Sequence, residues 1–273
     1  MKKMVITVAV CGAETSKKDN PNLPVTPQEI AESTYQSYLK GASICHLHVR
    51  DKKGNATMDI NIFKEAIKLI REKCDIVIEV TTGGGVGMSP EERLEVVSLK
   101  PEMASLDCGT VNFGDEYIIN TLPIIRQFAE EMKRNSVKPT LECFDLSHIY
   151  SANMLVREGL VEAPCHYSFV LNVPGAAKYD TETLDFFVRR IPENCFWTVI
   201  GIGGKASVEA HYGALALNGF MRVGFEDNIY FSKGVLADSN AQLVERAANI
   251  SIAAGYLIAK PTDVRKMFKL KNL

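Results

Sequence analysis

Eight short runs rich in β-branched and apolar residues alternate with eight stretches of helical period, and this alternation leaves very few folds open. The strand-like runs cover residues 4–11, 43–49, 76–81, 103–107, 139–144, 166–171, 196–201 and 219–223. Between and after them, helical spacing covers 27–40, 59–73, 90–99, 115–133, 146–159, 181–190, 205–218 and 239–259. Eight strand–helix units in 273 residues is the arithmetic of an α/β chain closed into a (β/α)8 TIM barrel. A doubly wound open sheet alternates in the same way, but no G-x-G-x-x-G opens the first unit. Nothing reads as a linker or low-complexity segment, so a single barrel domain over residues 1–273 is expected.

Local signals agree with the alternation. Thr26-Pro27-Gln28-Glu29 and Ser89-Pro90-Glu91-Glu92 each set a hydroxyl cap, a first-turn proline and a glutamate at the third position. Gly41, Gly159 and Gly219 stand where helices end on glycine. Hydrophobic residues make up 46% of the chain, enough to fill a barrel core, and the net charge of −2 gives no bias toward nucleic acid or membrane. No uncharged apolar stretch is long enough to span a bilayer. Met1-Lys2-Lys3-Met4-Val5 runs straight into a strand, without a secretory apolar core or cleavage site, so a cytoplasmic protein is expected. The seven cysteines are scattered singly with no C-x-x-C, which reads as free thiols in a reducing compartment.

In a barrel, chemistry belongs at the C-terminal ends of the strands, and the polar and glycine-rich sequences fall there. The most telling is Cys45-His46-Leu47-His48-Val49-Arg50. Residues two apart on a strand share a face, so His46 and His48 project together and suit one divalent metal. A catalytic site needs a third protein ligand and an open position. Glu14, Glu79, Asp107, Glu142 and Glu226 all stand at strand ends; in a closed barrel the eighth strand neighbours the first and the second is one further on, so a loop after the eighth can also reach a metal on the second, and spacing does not choose between Glu14 and Glu226.

Arg222, Glu226 and Asp227 form a charged knot at the last strand. An inward Arg222 requires a partner, because an unpaired buried charge costs several kcal/mol, and Asp227 is the obvious one. Such a pair can polarise a carboxylate or move a proton. Thr81-Thr82-Gly83-Gly84-Gly85 offers hydroxyls and backbone N–H groups to an oxygen anion, and Gly201-Ile202-Gly203-Gly204-Lys205 opens a helix where barrels often hold phosphate. Glu142 shares a strand face with Thr140 and Phe144 and, if inward, is a buried carboxylate near the metal. His148, His166 and His211 stand alone and read as ordinary surface or core residues.

These residues resemble the β-keto acid cleavage enzyme family. The likeness runs over nearly the whole chain, through Gly12-Ala13-Glu14-Thr15, residues 21–27 (PNLPVTP), His46-Leu47-His48, Thr81-Thr82-Gly83-Gly84, Lys100-Pro101-Glu102-Met103-Ala104, Val111-Asn112-Phe113-Gly114, residues 222–228 (RVGFEDN), Lys233-Gly234-Val235 and residues 239–244 (SNAQLV). The resemblance implies a zinc ion held by His46, His48 and Glu226, with acetyl-CoA as co-substrate. It implies a Claisen-type addition, CoA transfer within the adduct and a retro-Claisen cleavage. The implied substrate is 3-keto-5-aminohexanoate, an intermediate of lysine fermentation, converted to acetoacetate and 3-aminobutyryl-CoA. Asp227 and Arg222 would be catalytic. Glu14, Thr81, Gly84 and Ser105 would contact substrate, with Glu14 pairing the ammonium. The chain departs from the family pattern with Thr81 for Ser and Ser105 for Thr, each keeping a hydroxyl, and with Lys205 after Gly204. A homo-oligomer, a tetramer in particular, is also implied.

Three other readings compete. One is the same reaction on another β-keto acid. Another is a zinc-dependent barrel hydrolase, but those place H-x-H on the first strand and recruit later histidines. The third is a zinc-stabilised binding protein, which would call for a closed four-ligand site.

Overall fold

The computed structural model describes residues 2–270 of the chain. Eight parallel strands close a barrel in chain order. They are β1 (Ile6–Ala9), β2 (Ile44–Leu47), β3 (Val77–Val80), β4 (Met103–Asp107), β5 (Lys138–Cys143), β6 (His166–Leu171), β7 (Phe196–Gly201) and β8 (Phe220–Val223). Each falls within, or one residue beyond, the run expected from sequence. Their near-continuous apolar character follows from burial on both faces, by helices outside and the barrel's own interior inside. Closure is made by β8 on β1, where Met221 pairs with Ile6 and Arg222 with Thr7.

The helices are α1 (Pro27–Leu39), α2 (Ile60–Lys73), α3 (Pro90–Glu95), α4 (Leu122–Asn135), α5 (Leu146–Arg157), α6 (Thr181–Val188), α7 (Gly204–Leu217), α8 (Asn240–Ala253) and α9 (Pro261–Phe268). Both capping boxes form: the Glu29 N–H donates to Thr26 Oγ1 at 3.1 Å while the Thr26 N–H donates to Glu29 Oε2 at 3.0 Å, and Ser89 and Glu92 repeat the pattern. None of the described helices is long and apolar enough to cross a membrane. All seven cysteines are free.

Three expectations need correction. The helix expected from residue 115 begins only at Leu122. Residues 111–118 instead form an antiparallel ribbon, Val111–Phe113 against Glu116–Ile118, turning at Gly114 with φ +67°. Val111 and Phe113 stand two apart across Asn112, which is a strand's period rather than a helix's. The last long helix stops at Ala253 rather than 259; Gly255, at φ +85°, turns the chain so that Leu257–Ile258 pairs in parallel with Lys3–Met4. Gly219 does not terminate α7 by its own backbone freedom. Asn218 takes the left-handed cap, and Gly219 is required because a Cβ there would lie 2.2 Å from the Trp197 ring.

Strand register decides what fills the barrel, since paired residues share a face. His46 pairs with Glu79, Thr140 with both Ser105 and His166, and Asp107 with Glu142. The interior is therefore polar above its base. At the base α9 folds under the strands, and Phe268 stacks on His166 at 4.7 Å and lies 5.2 Å from Phe196. Sequence reading did not anticipate α9.

Candidate active site

The C-terminal mouth of the barrel opens into a cavity of about 520 Å³. That is within the usual range for small-molecule sites. His46 and His48 reach it from β2 and its end, with ring centroids 5.3 Å apart. Their Nε2 atoms lie 3.6 and 3.7 Å from Glu226 Oε1. The donor atoms of the three residues all sit within 4.8 Å of one another.

Local chain geometry makes this convergence possible. Glu226 follows β8 and packs against Gly12, after β1. A Cβ on Gly12, which has φ +58°, would lie 2.5 Å from Glu226 Cγ, so only glycine leaves the ligand its place. Arg50 pins the same loop from below, donating to the carbonyls of Gly12 (2.8 Å), Cys11 (3.0 Å) and Thr15 (2.8 Å). This role for Arg50 was not evident from sequence; the signal was a basic residue at the end of a buried strand.

The donor set fits a divalent ion. His46 Nδ1 is bonded to Glu79 Oε1 at 2.8 Å, which turns Nε2 toward the mouth in the manner of a carboxylate-oriented metal histidine. Burial lowers the His48 imidazole to about 3, so it is a neutral lone-pair donor. Burial alone would raise Glu226, but Arg222 and the two imidazoles bring it down to about 2, so it is an anionic donor. Its Oε2 is buried and has no hydrogen-bond partner among the described residues. Charge agrees as well. The carboxyl groups of Asp107, Glu142, Glu226 and Asp227 crowd the mouth, and Arg222 is the one lysine or arginine among the cavity-lining residues.

Glu79 was a candidate ligand in the sequence. The structure puts it behind His46 instead, where Thr140 Oγ1 donates to its Oε2. Thr140 also bonds His166 Nδ1 at 3.2 Å, and His166 Nε2 lies 2.8 Å from Thr198 Oγ1. His166 is thus a satisfied interior residue at the end of a chain leading to the cluster of His46, His48 and Glu226.

Arg222 holds three carboxyl groups. Its Nε and Nη2 donate to Asp227 at 3.0 and 2.9 Å, its Nη1 to Glu142 at 3.3 Å, and its Nη2 also to Glu226. Such multiple pairing is what a buried guanidinium requires. Burial raises the Asp227 carboxyl while Arg222 opposes it, leaving the group above its ordinary value. Burial raises Glu142 further; Arg222 opposes this, but neighbouring Asp107 and Glu79 add to it.

The glycine loop after β3 forms another side. Thr81 Oγ1 accepts the N–H groups of Gly83 (3.0 Å) and Gly84 (3.2 Å), leaving its own proton free to donate. Gly84 and Thr81 line the cavity. Ser105 does not: it is fully buried behind the loop, where its Oγ accepts the Thr82 N–H at 3.2 Å. Glu14 is exposed, lines the cavity and makes no hydrogen bond or ion pair among the described residues. Opposite the charges, Phe113, Ile118, Phe144, Val170, Val173 and Ile202 form an apolar wall.

Fold and site together define a barrel enzyme with a metal-competent, carboxylate-rich mouth. The chain belongs to the β-keto acid cleavage enzyme family, whose description fits residues 3–270. It is 44% identical, over 100% of both chains, to the 3-keto-5-aminohexanoate cleavage enzymes of Fusobacterium nucleatum subsp. nucleatum and of Acetoanaerobium sticklandii. It is 35% identical to the 3-oxoadipate:acetyl-CoA acetyltransferase of Cupriavidus necator, covering 98% of this chain and 95% of that one. Among solved structures, apo ObcA shares the fold with a TM-score of 0.80 at 18% identity; 92% of this chain matches 66% of that one.

Proposed function

We propose that this enzyme converts 3-keto-5-aminohexanoate and acetyl-CoA to acetoacetate and 3-aminobutyryl-CoA, with zinc held by His46, His48 and Glu226. The observation that carries the substrate choice is the cavity's charge. Glu14 offers a free carboxylate, and no lysine lines the cavity to attract an anionic tail. An ammonium there gains a charge-assisted hydrogen bond. The bound ion supplies Lewis acidity to the β-keto acid's oxygens.

The protein's residues do the rest. The Asp227 carboxyl, oriented by Arg222, takes the C2 proton, and its raised affinity for protons favours that transfer. The carbanion adds to the thioester carbonyl, and collapse of that adduct releases the CoA thiolate, which adds to the C3 ketone. The C2–C3 bond then breaks to give 3-aminobutyryl-CoA, and the acetoacetate carbanion takes the proton back from Asp227. The Thr81 hydroxyl donates to the oxyanion that develops, the Gly84 N–H holds that hydroxyl by donating to its oxygen, and Ser105 fixes the loop through the Thr82 N–H. Glu142 shares Arg222 and steadies it. We place the reaction in the cytoplasm, in lysine fermentation, and the enzyme in a homotetramer.

The test mixes the protein with acetyl-CoA and 3-keto-5-aminohexanoate, with and without chelator, and identifies products by mass spectrometry. Chelator-sensitive acetoacetate and 3-aminobutyryl-CoA are expected. Product formation without acetyl-CoA would sink the transferase reading and favour a hydrolase.

A further inference from the structure

We propose that Asp107 is a second specificity-determining residue, which with Glu14 makes the cavity select a cationic substrate tail. This rests on the function proposed above and goes beyond it by naming a residue outside the motifs that mark the site.

Asp107 ends β4, and its Cα pairs with Glu142 on β5, so both side chains enter the barrel mouth. It is 5% exposed, and the surface it keeps belongs to the cavity. One oxygen, Oδ2, accepts a long bond of 3.3 Å from Asn120 Nδ2. The other, Oδ1, has no hydrogen bond among the described residues. Arg222 bonds Glu142, Glu226 and Asp227 but not Asp107.

Arg93 feels the Asp107 charge but makes no ion pair or hydrogen bond with it among the described residues. Its Nη2 donates to Asn120 Oδ1 at 2.8 Å, so the amide stands between the two charges. A buried carboxylate with one idle oxygen facing a cavity is costly unless something cationic completes it. The loop of Gly83–Gly85 joins Asp107 to Glu14. Gly83 sits against the Asp107 carboxylate, where a Cβ would be 3.4 Å from Oδ2. Gly85 sits against Ala13, next to Glu14, where a Cβ would be 3.6 Å from the alanine methyl. An ammonium passing over these glycines meets a carboxylate at either end.

A merely structural Asp107, there to balance Arg93 through Asn120, makes a different prediction: its loss would affect all substrates alike. The experiment compares wild type, Asp107→Asn and Asp107→Ser on 3-keto-5-aminohexanoate and on 3-ketohexanoate, whose tail is uncharged, each with acetyl-CoA. The Ser variant guards against poor packing of the amide. We expect kcat/KM for the amino substrate to fall tenfold or more, and that for the neutral acid to stay within about twofold. Equal falls on both acids, or a ratio that does not move, overturn the role of Asp107 while leaving the reaction intact. A wild type inactive on both acids overturns the function itself, and the role of Asp107 with it.

Discussion

The two sides of the barrel mouth are built in opposite ways. The side formed by β8, β1 and β2 carries His46, His48, Arg222, Glu226 and Asp227, joined by bonds that fix each group through another. Beyond Asp107 and Glu142, the side above β4 to β7 carries Phe113, Phe144, Val170, Val173 and Ile202, touching one another by dispersion alone. On the first side a group is held by direction, and a single change leaves charges stranded. On the second it is held by volume, and neighbours can relax. One side therefore specifies chemistry, and the other shapes the space in which it occurs.

The sharpest way to break that contrast is at Arg222. Arg222→Met leaves the carboxyl groups of Glu142, Glu226 and Asp227 without their counter-charge. Stranding buried charges in this way costs about 3–5 kcal/mol, read as a fall in the midpoint of denaturant unfolding. Loss of proton transfer should lower kcat/KM by on the order of 10²–10⁴. An unchanged midpoint would show that the charged side does not depend on its guanidinium.

Glu79 tests whether direction matters at one remove. Glu79→Gln keeps the size of the side chain but weakens its hold on His46 Nδ1. Metal affinity should drop by about 10–100-fold, measured by chelator competition, with the fold intact. Affinity equal to wild type would mean that β2 alone aims the imidazole.

The same contrast governs what the sequence made legible. Pairs two apart on one strand, such as His46 and His48, need only the strand's own period to be recognised. The glycine loops and the Arg222–Asp227 knot are equally local. Glu79 and His166 were not resolved, because their roles come from register: which strand lies beside which, and at what offset, is set by barrel closure. Asp107 was visible only as an acid at a strand end, and its pairing with Glu142 across β4 and β5 is again a matter of register. The apolar wall was less legible still. Ile118 falls where a helix start is expected and Phe113 lies just before it, and nothing local says that Val170 and Ile202 will meet them. Ser105 shows the converse. A hydroxyl matching the family's contact position lies behind the glycine loop, because strand pitch places it one layer below the mouth.

The apolar side gives the smallest effect, and for that reason the finest test. Ile202 follows β7, is half-buried and packs on the cluster of Phe144, Val170 and Val173. Ile202→Val removes one methyl group. A fully buried site would lose about 0.5–1.5 kcal/mol, and partial exposure puts this one at the low end. Because the wall holds by volume, the neighbouring side chains can close part of the gap. KM should shift by about threefold at most, with kcat and metal content unchanged, as steady-state kinetics and metal analysis would show. A fall in kcat, or loss of metal, would mean that the wall also aims the groups opposite, and that the two sides act as one rigid frame.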